Sequence, residues 1–463
     1  MGIGAAEFVA LAATGLVALV ILRVAVKREP DPVIAKLVVL GFVAKIAGTG
    51  ARYFVLSEVY ERGDANRYLD RGRQIAQVIR SGTVPDQARE TGTPFMDFLA
   101  GVFYAVAPPN LLLGFFAFSM LAFVGMYLFV QAFRIAFPEG DHRRYTFLVL
   151  LLPTMLFWPS SLGKESWLVF TLGISAYGAA RVLRRMPWGF VLLGVGVTGV
   201  YLVRPHMGAL FAVTFAGAYL LRSRDPLVEK GASAWIVGLV IVGTGALFTF
   251  NTFGDLLPRD ESVDGSAVEQ VFSETNRRSS VGGSEYDSRP VRSPADLGHA
   301  LITVPFRPFP TEAHNLQSLF TSLEGVMLFI LFLASLPRLV ALRKMLFRKP
   351  YVLLASAYSL GFIIAFSNVG NFGLLTRQRA QLLPFLLVLL ALPKPGVAPA
   401  RRTQAQRKAP VLVPTTLEEQ EAMAAAAARA VGPTFVGAER LNGHPEVGTE
   451  LVIDLPKGTE PSR

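Results

Sequence analysis

The sequence predicts an all-α, polytopic membrane protein with about eleven transmembrane helices. Three observations carry that class. The 463 residues are 52% hydrophobic and only 17% charged, with a mean hydropathy of +0.44. The apolar residues gather into blocks of roughly 17–25, the length a helix needs to cross a hydrocarbon core. Lys and Arg collect in alternate short loops between those blocks, the asymmetry that sets orientation in a bilayer.

In chain order the expected crossings lie near 5–26, 33–55, 109–133, 145–162, 166–182, 187–203, 206–221, 233–253, 317–337, 351–369 and 379–393. The first block lacks a basic start and a small-residue cleavage site, so it reads as a retained helix rather than a signal peptide. Residues 94–107 are apolar but short, and are expected to form a re-entrant or interfacial helix ended by Pro108 and Pro109. One set of loops holds Lys27 and Arg28, then Arg134, Arg143 and Arg144, then Arg181, Arg184 and Arg185. It continues with Arg222, Arg224 and Lys230, then Arg338, Arg343, Lys344, Arg348 and Lys349. The opposite short loops hold only Lys164, Arg204, Arg377 and Arg379. The first set is therefore expected on the cytoplasmic side of the cell membrane, with the N-terminus outside and the C-terminus inside.

This orientation gives a multi-pass membrane domain over 1–393, with outer loops at 56–93 and 254–316. The remainder, 394–463, is rich in Pro, Ala and charge, and reads as a flexible cytoplasmic tail with one short helix around Leu417–Val431. Several chemistries drop out. The chain has no Cys, which removes disulfides, thiolate catalysis and Cys-based metal sites. No GxxxxGK[ST] run is present, the five His are scattered without HExxH spacing, and Ser160 and Ser161 lie in no GxSxG context. The net charge of +11 is explained by the basic loops, so no nucleic-acid partner is expected. No cofactor is assigned; a divalent metal held by Glu61 and Asp64 is the one ion site the carboxylates offer.

Candidate residues gather on the outer side. In Tyr60-Glu61-Arg62-Gly63-Asp64-Ala65-Asn66-Arg67-Tyr68, Asp64 is placed at a helix N-cap, where its carboxylate either caps the helix or serves as a general base. Lys164 and Glu165 sit in a short hairpin after Phe157-Trp158-Pro159-Ser160-Ser161, where charge near membrane depth is costly without a role. Trp158 and Trp167 suit an interfacial belt. Arg204 and His206 lie at another helix junction, Arg307 ahead of the crossing near Gln317, and Arg377 and Arg379 at the mouth of the last helix. Arg is the planar fork suited to phosphate oxygens, so these cations point to an anionic lipid headgroup. Snorkelling of single side chains is the plainer reading of each one taken alone.

The arrangement resembles the GT-C class of membrane glycosyltransferases. The likeness rests on Gly63-Asp64-Ala65-Asn66-Arg67-Tyr68 in the first sizeable outer loop, on Gly92-Thr93-Pro94-Phe95 and the apolar hairpin after it, and on Phe157-Trp158-Pro159-Ser160-Ser161 through Lys164-Glu165. It implies transfer of a sugar from a polyprenyl-phosphate donor to an envelope glycan, lipid or protein acceptor on the outer face. Asp64 would then be the base, and Arg377 and Arg379, with Lys164 and Arg204, would bind the donor phosphate. This chain departs from the family pattern in two ways: the Asp follows the second expected crossing rather than the first, and the acidic pair is reduced to a single Asp, Asp64, with Glu61 nearby. Three other functions stay open: an O-antigen-type polymerase or ligase, a lipid-linked-sugar flippase or transporter, for which Lys36 and Lys45 are the midplane candidates, and a membrane scaffold with no chemistry, which predicts no converging outer pocket.

Overall fold

The computed structural model describes residues 4–59, 63–221, 286, 288–313 and 316–394. The expected crossing at 233–253, most of the segment 254–316, the tail with its helix around Leu417–Val431, and Glu61 lie outside the described residues. Among those described, every regular element is helical.

Helices α1 (Ala5–Lys27) and α2 (Pro32–Phe54) open the chain. Asp31 caps α2 by accepting from the Val33 amide at 2.9 Å, and Pro32 starts the helix where its missing N–H costs nothing. After a π-helical turn at Val55–Val59 come α3 (Asp64–Arg80) and α4 (Thr93–Val106). On α3 the buried Ala65, Tyr68, Leu69, Gly72, Ile75 and Ala76 recur at helical spacing and make one apolar face. Gly72 of that face lies against Ala100 and Tyr104 of α4, and Ile75 fills the space left by Gly101. The 14 residues of α4 reach only about 21 Å at 1.5 Å per residue, short of a hydrocarbon core of ~30 Å.

The centre is built by α5 (Leu111–Ala136), α8 (Lys164–Leu183) and α9 (Gly189–Val203). Between α5 and α8 lie α6 (His142–Leu151) and α7 (Pro153–Phe157). Then follow α10 (Pro205–Leu220), α11 (Pro294–Phe306), α12 (Leu316–Ala334), the short α13 (Leu336–Leu339) and α14 (Leu342–Met345), α15 (Pro350–Phe366) and α16 (Phe372–Leu390). Small residues let the central helices touch backbone to backbone. A Cβ on Gly173 would overlap the Gly125 carbonyl oxygen, and one on Gly125 would overlap the Val169 carbonyl. Such close approach brings many atoms into van der Waals contact and packs the helices. Gly173→Val is therefore expected to lower the melting temperature of the protein in detergent, the overpacking costing about 1–3 kcal/mol. Gly194→Val, with nothing within 4 Å of the added carbon, is the control that should melt like the parent.

The all-helical class holds among the described residues, which do not confirm the count of about eleven crossings. Among them, four helices are long and apolar enough to cross a membrane: Ala5–Lys27, Pro32–Glu58, Leu111–Ala136 and Lys164–Leu183. Ser318–Ala334 with Leu336–Met345, bent by 55°, adds a fifth if the pair is one span. Two physical reasons account for much of the difference. The expected crossing at 145–162 is broken, because Pro153 cannot donate a helical hydrogen bond and holds Leu152 extended at ψ 133°. The expected crossing at 379–393 belongs to a helix that starts at Phe372 and carries Arg377, Gln378, Arg379 and Gln381, which dilute its apolar character.

The break between α6 and α7 is stitched by charged side chains from far away in sequence. Glu324 of α12 accepts from the Thr154 amide at 2.8 Å and the Thr154 hydroxyl at 2.6 Å, filling the open N-terminus of α7. Lys45 of α2, fully buried, donates to the carbonyls of Met155 at 2.9 Å and Pro159 at 2.8 Å, where α7 runs out. Beside it, Thr49 meets the Ser119 hydroxyl at 2.6 Å and Ser119 donates to Ser160 at 3.3 Å. Lys45 is thus a structural cap rather than a free midplane charge, and Lys36 is exposed.

At one end of the bundle, the loops read as cytoplasmic meet in ion pairs. Arg134 binds Glu29, Arg143 binds Asp31 at 2.8 Å, Arg338 binds Asp141 at 2.8 Å, and Lys349 binds Glu139 at 2.5 Å. The hydrogen bond from Arg143 holds the Asp31 carboxyl below its ordinary value. Arg338 also donates to the Leu392 carbonyl at the end of α16.

Candidate active site

The opposite end of the bundle brings together helix termini that are distant in sequence: the starts of α3, α4, α8 and α10, and the first turns of α16. Each is fixed by local chemistry. Gly92 sits at φ +83°, a backbone conformation that disfavours any Cβ, and its amide donates to the Leu202 carbonyl at 2.8 Å. That tie holds the start of α4 against the end of α9. Arg204 stands between α9 and α10 in an extended conformation, as the residue before Pro205 must.

Five of the eight residues singled out in the sequence meet here. Asp64 and Arg377 pair at 3.3 Å, and Glu165 and Arg204 at 3.5 Å. Lys164 donates to the Thr93 hydroxyl at 2.6 Å. The two pairs are not independent, since Glu165 feels Arg377 as well as Arg204, and Lys164 feels Arg204, Glu165 and Asp64. Exposure separates their roles. Glu165 and Arg204 are each 13% exposed and lock each other, whereas Asp64 is 70% and Arg377 30% exposed. Asp64 is also not the helix cap expected for it. Gly63 takes the N-cap position, and the Asp64 carboxylate, on the first helical residue, turns to Arg377 instead. Tyr68, one turn along α3, is buried beside the cluster, and burial with the neighbouring Asp64, Glu165 and Asp97 charges pushes its phenol up.

The other three fall elsewhere. His206 is exposed on α10, near Arg204 and Lys164 but outside the pairs. Arg379 does not join Arg377. Two positions apart on a helix is about 200° of rotation, so its fully buried guanidinium points away and donates to the Arg307 carbonyl oxygen. Its electrostatic neighbours are Glu324 and Tyr286, not Asp64. Arg307 pairs with Glu312 at 2.7 Å and lies over the Tyr286 ring at 4.6 Å, while that ring stacks on Phe372 at 4.3 Å. Arg307 and Arg379 therefore form a second, internal centre that pins the segment before α12 to α16. The two Trp residues expected in an interfacial belt make contacts inside the bundle. Trp158 is buried under the Arg52 guanidinium at 4.8 Å, and the Trp167 indole donates to the Gly199 carbonyl at 2.8 Å. Among the described residues, no three His, Asp or Glu side chains stand together as ion ligands. Glu61, the partner Asp64 would need for a metal, lies outside the described residues.

Several residues of this region were not legible beforehand. Arg67 pairs with Asp97 at 3.2 Å across α3 and α4, and burial raises the Asp97 carboxyl against the opposing pull of Arg67. The available signal was a lone carboxylate in the otherwise apolar stretch 94–107. The same signal marked Glu324. No family model, curated protein or solved structure matches the chain.

Proposed function

We propose that the protein is a GT-C-like membrane glycosyltransferase that moves a sugar from a polyprenyl-phosphate donor to an acceptor hydroxyl at the outer face of the cell membrane. The observation that carries this reading is the convergence of an exposed carboxylate, Asp64, with Arg377, Lys164 and the Glu165–Arg204 pair from separate helices. In the reaction, the acceptor oxygen bonds to the anomeric carbon and its proton passes to the Asp64 carboxylate. The bond from that carbon to the phosphate oxygen breaks, and the phosphate leaves with the electron pair. Arg377 and Lys164 meet the charge that builds there, and Glu165 holds Arg204 in place. Membrane lipid and the lipid-linked sugar are the partners.

In this reading the N-terminus is outside and the C-terminus cytoplasmic. The shorter helices α9, α10 and α15, the broken α6–α7 and the segment 233–253 bring the crossings toward eleven. Segregation of the ion-paired basic loops to the end opposite Asp64 supports that orientation. The flippase alternative is weakened, because Lys45 is committed to backbone carbonyls.

The test is transfer of labelled sugar in membranes supplied with a polyprenyl monophosphate donor or, in a parallel arm, a lipid diphosphate donor. Arg377→Ala should raise the apparent KM for the monophosphate donor by at least tenfold. Arg377→Lys should restore only part, since a fork becomes a point charge. Turnover with the diphosphate donor alone would move the assignment to the polymerase or ligase class. No transfer from either donor would remove the enzyme reading.

A further inference from the structure

Contacts rise together along α3 and α4: Arg67 meets Asp97, Gly72 meets Ala100, and Arg80 donates to the Ala105 carbonyl at 3.0 Å. The two helices therefore run in the same direction, and the connection 81–92 has to return alongside them. That return, which includes a 3-10 turn at Asp86–Arg89, borders an open cleft of about 520 Å³.

The walls of the cleft have a definite chemistry. Arg67, Gln74, Gln87, Glu90 and Asp97 supply donors and acceptors, while Ile75, Val78 and Pro94 supply apolar surface. Positive Arg67 and Arg71 are roughly balanced by Asp86, Glu90 and Asp97, so the site selects neither a strong anion nor a strong cation. One wall group is incompletely satisfied. Asp97 is only 5% exposed, its Oδ2 is held by Arg67 at 3.2 Å, and its Oδ1 has no hydrogen-bond partner. A buried carboxylate oxygen left in this state costs free energy, which leaves the pair with Arg67 to support this charge. Side-chain amides, a carboxylate and a guanidinium beside a flat apolar wall match a molecule with many hydroxyls on one face and C–H bonds on the other. The volume lies within the usual range for small-molecule sites.

We propose that this cleft is a saccharide-binding site, in which Gln87, Gln74 and the Arg67 guanidinium bind sugar hydroxyls and Asp97 holds that guanidinium in place. Its place beside the charged cluster is set by Arg67 and Asp97: Lys164 feels Arg67, Asp97 feels Lys164, and Tyr68 beside the cluster feels both. Naming that saccharide as the acceptor of the transfer reaction rests on the glycosyltransferase reading; the binding itself does not.

The experiment is saturation-transfer NMR on the full chain in lipid nanodiscs, with the methyl glycosides of glucose, galactose, mannose, arabinose and N-acetylglucosamine as probes. At least one glycoside should saturate with the parent protein. Its apparent affinity should fall at least tenfold in Asp97→Asn. Gln87→Ala, which leaves the Arg67–Asp97 pair intact, should reduce it severalfold, so a folding defect in the first variant does not decide the question. Lys36→Leu, exposed on α2, should bind the same glycoside as the parent does. Absence of any signal with the parent, or signals unchanged in both Asp97→Asn and Gln87→Ala, would overturn the site. Binding that depends on Asp97 in a protein showing no transfer would sustain the site and remove only its role as acceptor subsite.

Discussion

Asp64→Asn is expected to slow sugar transfer by about two to four decades, the usual contribution of general acid–base catalysis. The substitution keeps shape and removes basicity. Asp64 is 70% exposed and its ion pair with Arg377 is 3.3 Å long, so the pair adds little to stability. The variant should therefore insert, melt and bind donor much as the parent does. Rates are compared at matched expression with saturating donor. Near-normal turnover would take Asp64 out of the chemistry and leave a surface ion pair at a helix start.

The largest stability effect is expected at Lys45. Lys45→Leu fits the apolar surroundings by size but leaves the carbonyls of Met155 and Pro159 without their donor. Inside a bilayer such groups cost several kcal/mol each. The folded fraction in fluorescence-detected size-exclusion chromatography should collapse. Lys45→Gln, whose amide can still donate, should recover part of it. Lys36→Leu, on the same helix but exposed, should leave the profile unchanged. A Lys45→Leu protein that elutes and melts like the parent would show that water or a neighbouring helix satisfies those carbonyls instead.

Residues whose meaning is set locally were legible in the sequence. Lys164, Glu165, Arg204 and Arg377 each interrupt an apolar run near a helix end, Asp64 opens the helix after the second expected crossing, and the structure gathers all five at one end of the bundle. The apolar length of 145–162 predicts one crossing, and Pro153 within it breaks the helix. Arg377 and Arg379 were read as one cradle, although helical rotation alone separates them. Residues whose meaning is set by a distant partner could not be read. Asp97 matters through Arg67, 30 positions away, and Glu324 through Thr154. Trp167 looked like an interfacial anchor because an indole needs an apolar body and one hydrogen-bond acceptor. The Gly199 carbonyl supplies that acceptor inside the bundle as well as a lipid headgroup would outside it.

The stitched break in α6–α7 also constrains how the molecule can be made. Thr154 leaves the ribosome 170 residues ahead of Glu324, an interval of about 10–30 s at ordinary elongation rates. Lys45, by contrast, is already present when Met155 and Pro159 emerge. The end of α7 can therefore be settled at once, while its beginning waits exposed for an acid not yet translated. The half-built protein should linger at the insertion machinery with this segment unfinished. A ribosome stalled before codon 324 should leave Thr154 open to a membrane-permeant probe, and release through α12 should close it.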